Sequence, residues 1–219
     1  MGNSLQQETA IATRWSAVTE VASRLILPLV NMVLARLLTP DAFGVVATVT
    51  MIVSFAEILA DAGFQKYIIQ HKFDSEEKLN QSTDVAFWTN IAISIVLWVI
   101  IFVFSEQLAS LVGNPGLGNV VTTASLSLPI LAFSSIHISR FKRQMNFKSL
   151  FFVRIISALV PVFVTIPLAI ITHSYWALII GTIASNLSNA LVLGVRSEWK
   201  PKFFYSFTRL KEMLSYSWW

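Results

Sequence analysis

Six apolar runs follow one another along the chain, each close to the ~20 residues an α-helix needs to cross the hydrocarbon core of a bilayer. They lie at about 13–38, 44–64, 85–105, 117–137, 150–171 and 175–195. Inside lipid no water is available to satisfy backbone amides and carbonyls, so each run must close its own hydrogen bonds as a helix. The runs therefore predict an all-α polytopic membrane protein. Residues 13–195 would form one six-helix transmembrane lobe, with a short segment at 1–12 and a basic segment at 196–219 flanking it. Composition agrees: 13% of the 219 residues are charged and 55% are hydrophobic, against about 25% charged in a soluble domain. With no cysteine there is neither a disulfide framework nor a thiolate metal site.

Charge placement orients the spans. The gap after the second span carries Lys66, Lys72 and Lys78, and the gap after the fourth carries Arg140, Lys142, Arg143 and Lys148. The segment after the sixth carries Arg196, Lys200, Lys202, Arg209 and Lys211, whereas residues 106–116 and 172–174 contain no Lys or Arg. Positive loops stay in the cytoplasm. The N-terminus and even gaps are thus expected inside. The start of the chain, MGNSLQQETA, lacks the basic flank and apolar core of a cleaved signal peptide. Its sixth residue, Gln6, departs from a myristoylation signal. Trp88, Tyr175, Trp176 and Trp199 stand near span ends, where aromatic belts form. Pro161 and Pro167 predict a kink in the fifth span, and the fourth carries Pro129. Residues 65–84 could hold a short amphipathic helix at the interface. The closing KEMLSYSWW reads as the approach to a seventh span, and the chain as a fragment of a longer protein.

Polar residues within the spans are not scattered. At ~100° per residue, Thr13, Ser16, Glu20, Arg24 and Asn31 share one face of the first span. Thr50, Ser54, Glu57 and Asp61 do so in the second, Arg154, Ser157, Pro161 and Thr165 in the fifth, and Thr182, Ser185, Asn186 and Asn189 in the sixth. Arg24 falls near the middle of its run. Its guanidinium cannot be neutralised, and placing it at mid-bilayer costs at least ~2.5–3.5 kcal/mol. Such a residue calls for a partner, a hydrated cavity or an anionic ligand. Glu20, one turn away, could pair with it, and hydroxyls and amides commonly join helices without further purpose. Ionisable groups in several stripes favour a shared cavity, with Arg24, Glu20, Asn31, Glu57, Asp61, Asn186 and Asn189 as its candidate lining. Glu57 and Asp61 could take up a proton or cation, or pair with a neighbouring helix.

Arg140, Lys142, Arg143, Lys148 and Arg154 form a candidate cytoplasmic headgroup patch. The ordinary role of such a cluster is to set topology and touch anionic lipid, and Arg154 could snorkel to the interface. A diphosphate headgroup is the sharper reading. His71, His137 and His173 are isolated, so no metal site is expected. No catalytic arrangement stands out, and the loops are too short to fold a catalytic domain. An enzyme is not expected, nor is a cofactor beyond a possible proton or sodium gradient, nor a nucleic-acid partner.

Several stretches resemble one family. LARLLTPDAFGVVA, ILADAGFQKYIIQHK, RQMNFKSLFFVRIISALV, YWALIIGTIASNLSNALVL and WKPKFFYSFTRLKEMLSYS are similar, in order and spacing, to the Wzx-type oligosaccharide flippases. These include lipopolysaccharide and colanic-acid exporters, within the multidrug/oligosaccharidyl-lipid/polysaccharide exporter superfamily. The resemblance implies a bacterial inner-membrane transporter of two helical lobes, the chain here matching the N-terminal one. It implies a polyprenyl-diphosphate-linked oligosaccharide as substrate, a cationic cavity to which Arg24 would contribute, and a C-terminal lobe as partner. Polysaccharide polymerases and glycosyltransferases are further expected partners. A drug/cation antiporter of the same superfamily would need Glu57 or Asp61 rather than Arg24. A membrane scaffold for polysaccharide-assembly enzymes would move nothing between leaflets.

Overall fold

A computed structural model describes residues 28–217, and every element among them is helical. α1 (Pro28–Leu37) is the described part of the first expected span. Arg24 and Glu20 lie outside the described residues. The remaining elements are α2 (Pro40–Asp61), α3 (Phe64–Gln70), α4 (Glu76–Val103), α5 (Ser105–Leu111), α6 (Gly118–Ser125), α7 (Ser127–Arg143), α8 (Phe147–Phe163), α9 (Thr165–Thr172), α10 (Trp176–Arg196) and α11 (Phe207–Ser217). Five helical stretches among them are long and apolar enough to cross a membrane: α2, α4, α6–α7, α8–α9 and α10.

Local chemistry moves several boundaries from the expected ones. α2 begins at Pro40 because Thr39 caps it, accepting from the Ala42 amide at 3.4 Å, and proline suits the first turn. It stops at Asp61 because Ala62 and Gly63 are both left-handed, with φ of 42° and 78°. α4 starts at Glu76, well before the expected 85, under a Ser75 cap that accepts from Lys78 N at 3.2 Å. The residues between these spans therefore form α3 and the first turns of α4. Phe64 and Ile68 of α3 are fully buried instead of lying at an interface.

The prolines act at a distance of one turn. A proline ring clashes with the carbonyl four residues earlier and leaves it without its amide donor. Four residues before Pro167 is Phe163, where α8 ends; four before Pro129 is Ser125, where α6 ends. Each span is thus two helices in series, joined at Val164 and Leu126. Pro161 sits within α8 without ending it.

The helices pack as one bundle. α10 contacts α6, α7, α8 and α9, and α4 runs along α7. At Gly181 α9 and α10 touch, where a Cβ would stand 1.9 Å from Thr165 Oγ1. α1 closes on this pair through Leu34, Leu38, Ala169 and Ala177. The outward faces stay apolar, with Phe55, Ile58 and Val195 65%, 73% and 81% exposed. That is the pattern expected where lipid is the solvent. At the Lys/Arg-poor end, Glu106 accepts from the amides of Gly116 (2.5 Å) and Gly118 (3.1 Å), and Asn114 donates to Thr48 of α2 at 2.6 Å.

At the basic end, α3 and α11 cap the bundle. Residues 197–205 fold back along α4: the Lys202 amide donates to Asp84 at 3.0 Å and Trp88 Nε1 donates to the Lys202 carbonyl at 2.8 Å. Trp199, expected in an aromatic belt, is instead buried against Phe87 and His137, with ring centroids at 5.6 and 5.2 Å. The Asp84 tie holds its segment inward. Met213 of α11 is fully buried with Phe64 and Ile68.

Candidate functional site

Residues of the α2 polar stripe line two partly open spaces, with Thr50 and Glu57 themselves exposed and Asp61 half-buried. Towards the basic end, Glu57 and Asp61 line a crevice with Asn90 and Ser94 of α4 and Ser135 of α7. The space between them is about 20 Å³, room for roughly one water molecule. Asp61 accepts from Gln65 Nε2 at 3.1 Å, and Asn90 Nδ2 donates to Ser135 at 2.8 Å. The Ser94 hydroxyl is buried and has no hydrogen-bond partner among the described residues. No basic side chain among the described residues lines the crevice. Among the described residues, no ion pair joins Glu57 or Asp61. A space with two carboxylates and neutral oxygens suits a proton or a small cation.

Nearer the other end, Thr50 of α2 meets Thr182 of α10 across a second pocket of about 40 Å³ that Ser127 also lines. The stripes of the second and sixth spans thus converge, joined by helix packing that no single stripe discloses. Asn186 and Asn189 are half-buried on α10 but line neither space. Asn31 is exposed on α1. Ser157 and Ser185, on packed helices α8 and α10, keep buried hydroxyls without a hydrogen-bond partner among the described residues. Asn90, Ser94 and Ser135 were not singled out as site residues. Asn90 and Ser94 are one turn apart on α4, a spacing that could have marked them.

The headgroup patch does not form one open surface. Arg143 turns inward and donates from Nη1 to the carbonyls of Ile68 (2.9 Å), Ile69 (3.3 Å) and His71 (2.7 Å). It closes the C-terminus of α3, where unpaired carbonyls and the helix dipole favour a cation, and covers Phe73 at 4.9 Å. Arg140 is buried, 3.9 Å from Glu76, and its Nε and Nη1 have no hydrogen-bond partner among the described residues. Lys142 is half-buried, while Lys148 and Arg154 are exposed. Nearby, the Lys78 ammonium, 2.5 Å away, holds the Asp74 carboxyl below the usual range. Burial, aided by Glu212, pushes the Tyr67 phenol up.

A sequence model of the polysaccharide biosynthesis protein family matches residues 33–219. The chain belongs to this family. Similar members are the succinoglycan biosynthesis transport protein ExoT of Rhizobium meliloti and the lipopolysaccharide biosynthesis protein WzxC of Escherichia coli. The first is 28% identical over 84% of this chain and 37% of its own. The second is 25% identical over 99% of this chain and 44% of its own. An uncharacterised membrane protein in the cps region of Klebsiella pneumoniae is 24% identical over 87% of this chain and 38% of its own. The chain therefore spans less than half the length of these curated relatives. No solved structure matches. Family and apolar helices together make this member of the polysaccharide biosynthesis proteins an integral membrane protein.

Proposed function

We propose that the chain is one lobe of an exporter that carries lipid-linked oligosaccharide across the bacterial inner membrane for surface-polysaccharide synthesis. The family match over residues 33–219, with relatives named as a transport protein and as a lipopolysaccharide biosynthesis protein, is the observation that carries this reading. The exposed polar residues of the spans, Asn31, Thr50, Ser54, Glu57 and Thr182, support it: facing lipid they would be penalised, and a second lobe that closes a hydrated cavity over them removes that cost. In this reading the N-terminus and the basic end of the bundle are cytoplasmic. A second lobe completes the cavity, and the two lobes rock about a midplane site. Arg24 holds the diphosphate or an acidic sugar by charge-assisted hydrogen bonds. Glu57 and Asp61 take up a proton or small cation whose gradient drives the cycle; both carboxylates line the same crevice.

The test is complementation of surface-polysaccharide export with the longer protein carrying this lobe. Arg24→Ala should abolish export and Arg24→Lys should retain part of it, at wild-type membrane abundance. Wild-type export by the alanine variant would remove Arg24 from the substrate path. The crevice also favours a second reading, a drug/cation antiporter. Under it Glu57→Gln and Asp61→Asn abolish drug efflux while Arg24→Ala leaves it intact.

A further inference from the structure

The segment that leaves α10 carries an exposed surface that the transport reading does not use. Phe203 and Phe207 are 94% and 78% exposed, and Tyr205 and Leu214 are 47% and 45% exposed. Phe207, Lys211 and Leu214 recur at i, i+4 and i+7, so they share one side of α11. Thr208, Glu212 and Ser215 occupy the adjoining polar side, and Met213 the side docked on α3. Amphipathic helices that lie within a membrane interface have this division.

The depth of this surface follows from what holds it. Arg196 ends the membrane helix α10, and its guanidinium covers the Phe152 ring of α8 at 5.1 Å. The Lys200 ammonium folds back to donate to the Gly194 carbonyl. Phe203 stacks on Trp88 of α4 at 4.6 Å, with the rings 16° apart. Residues 196–203 are thereby pinned at the level where two spans end, the depth at which aromatic belts form. Residues 196–217 carry five cations, Arg196, Lys200, Lys202, Arg209 and Lys211, against Glu198 and Glu212. Lys202 and Lys211 are exposed beside Phe203 and Phe207, whereas Glu212 lies on the polar side of the helix.

We propose that Phe203, Phe207 and Leu214 insert into the headgroup–acyl boundary of the leaflet at the basic end, and that Lys202 and Lys211 bind anionic lipid headgroups there. The lipid surface thus holds α11, and through Met213 holds α3, at a set depth beside the last turn of α2. The inference is independent of which substrate is carried.

The chain has no cysteine, so single cysteines can bear spin labels without background. The full chain would be reconstituted in vesicles of phosphatidylcholine alone or with phosphatidylglycerol. Labels at Phe207→Cys and Leu214→Cys should be relaxed by oxygen and shielded from a water-soluble nickel chelate. Labels at Thr208→Cys and Glu212→Cys should behave the other way. All positions open to the chelate would overturn the insertion. Shielding of 207 and 214 from both reagents would overturn it too, since protein, a second copy or further chain, would then cover them. Phosphatidylglycerol should gather around the wild-type segment, read by native mass spectrometry. K202Q and K211Q should each weaken that preference roughly fivefold. Equal retention of both lipids by wild type and variants would overturn the headgroup role.

Discussion

Arg143 shows how much one side chain decides at the basic end. It belongs to a run of cations that sequence alone places on a common patch, yet its three carbonyl contacts make it the terminal cap of α3. A hydrogen bond from a charged donor contributes ~1.5–3 kcal/mol, so Arg143→Ala should expose residues 64–75 to limited proteolysis and lower the melting temperature in detergent. Arg143→Lys should recover only part, because an ammonium cannot reproduce the guanidinium's planar fork; equal stability of wild type and alanine variant would count against the cap. Glu57 and Asp61 are readable from periodicity as members of one polar face; the structure leaves Glu57 exposed and Asp61 half-buried. Asn90, Ser94 and Ser135 complete their crevice only because α4 and α7 cross α2 there. Gly181 is equally silent in the sequence. Its lack of a side chain matters because Thr165, sixteen residues earlier, presses against it. Gly181→Ala should destabilise by ~1–3 kcal/mol through overpacking, measured as loss of monodisperse protein on heating, and Thr165→Ala should relieve part of that loss.

Among the elements, the spans expected from apolar length reappear, with ends displaced by caps and prolines. Two of the displacements were open to sequence reasoning. Ser75 before Glu76 and Glu77 is a helix-start signal, and Pro40 after Thr39 is another. The positions of the breaks in the fourth and fifth spans follow from the reach of a proline, one turn back. Pro129→Ala should therefore restore the missing amide donor to the Ser125 carbonyl and join α6 to α7. Hydrogen exchange at residues 125–129 should slow in that variant, and unchanged exchange would mean that the break has another cause. The packing of α3 and α11 is least accessible to sequence reasoning. Their apolar residues are few and their packing partners lie far along the chain, as with Met213 against Phe64.

For the whole molecule, the alternation of Lys/Arg-rich and Lys/Arg-free gaps predicts that the loop at 106–116 and the collar at 64–78 lie on opposite sides of the membrane. In intact spheroplasts a maleimide that cannot cross the membrane should label Ser110→Cys and spare Lys72→Cys, which should react only after lysis. The reverse pattern would invert the orientation on which the transport reading depends. The class of the fold, its membrane setting, its family and the existence of the α2 and α10 polar stripes are written locally, in runs of apolar residues and in residues one turn apart. Lipid imposes these constraints on each helix separately, so one segment at a time suffices to read them. Which polar residues share a space, which cations cap helices, and how residues 197–217 dock are fixed by contacts between distant segments. Asp84 meets the Lys202 amide and Arg209 donates to Gln81 only once α4 and α11 are side by side. Neither segment's own pattern names its partner, because a hydrogen bond needs distance and angle as well as a donor and an acceptor.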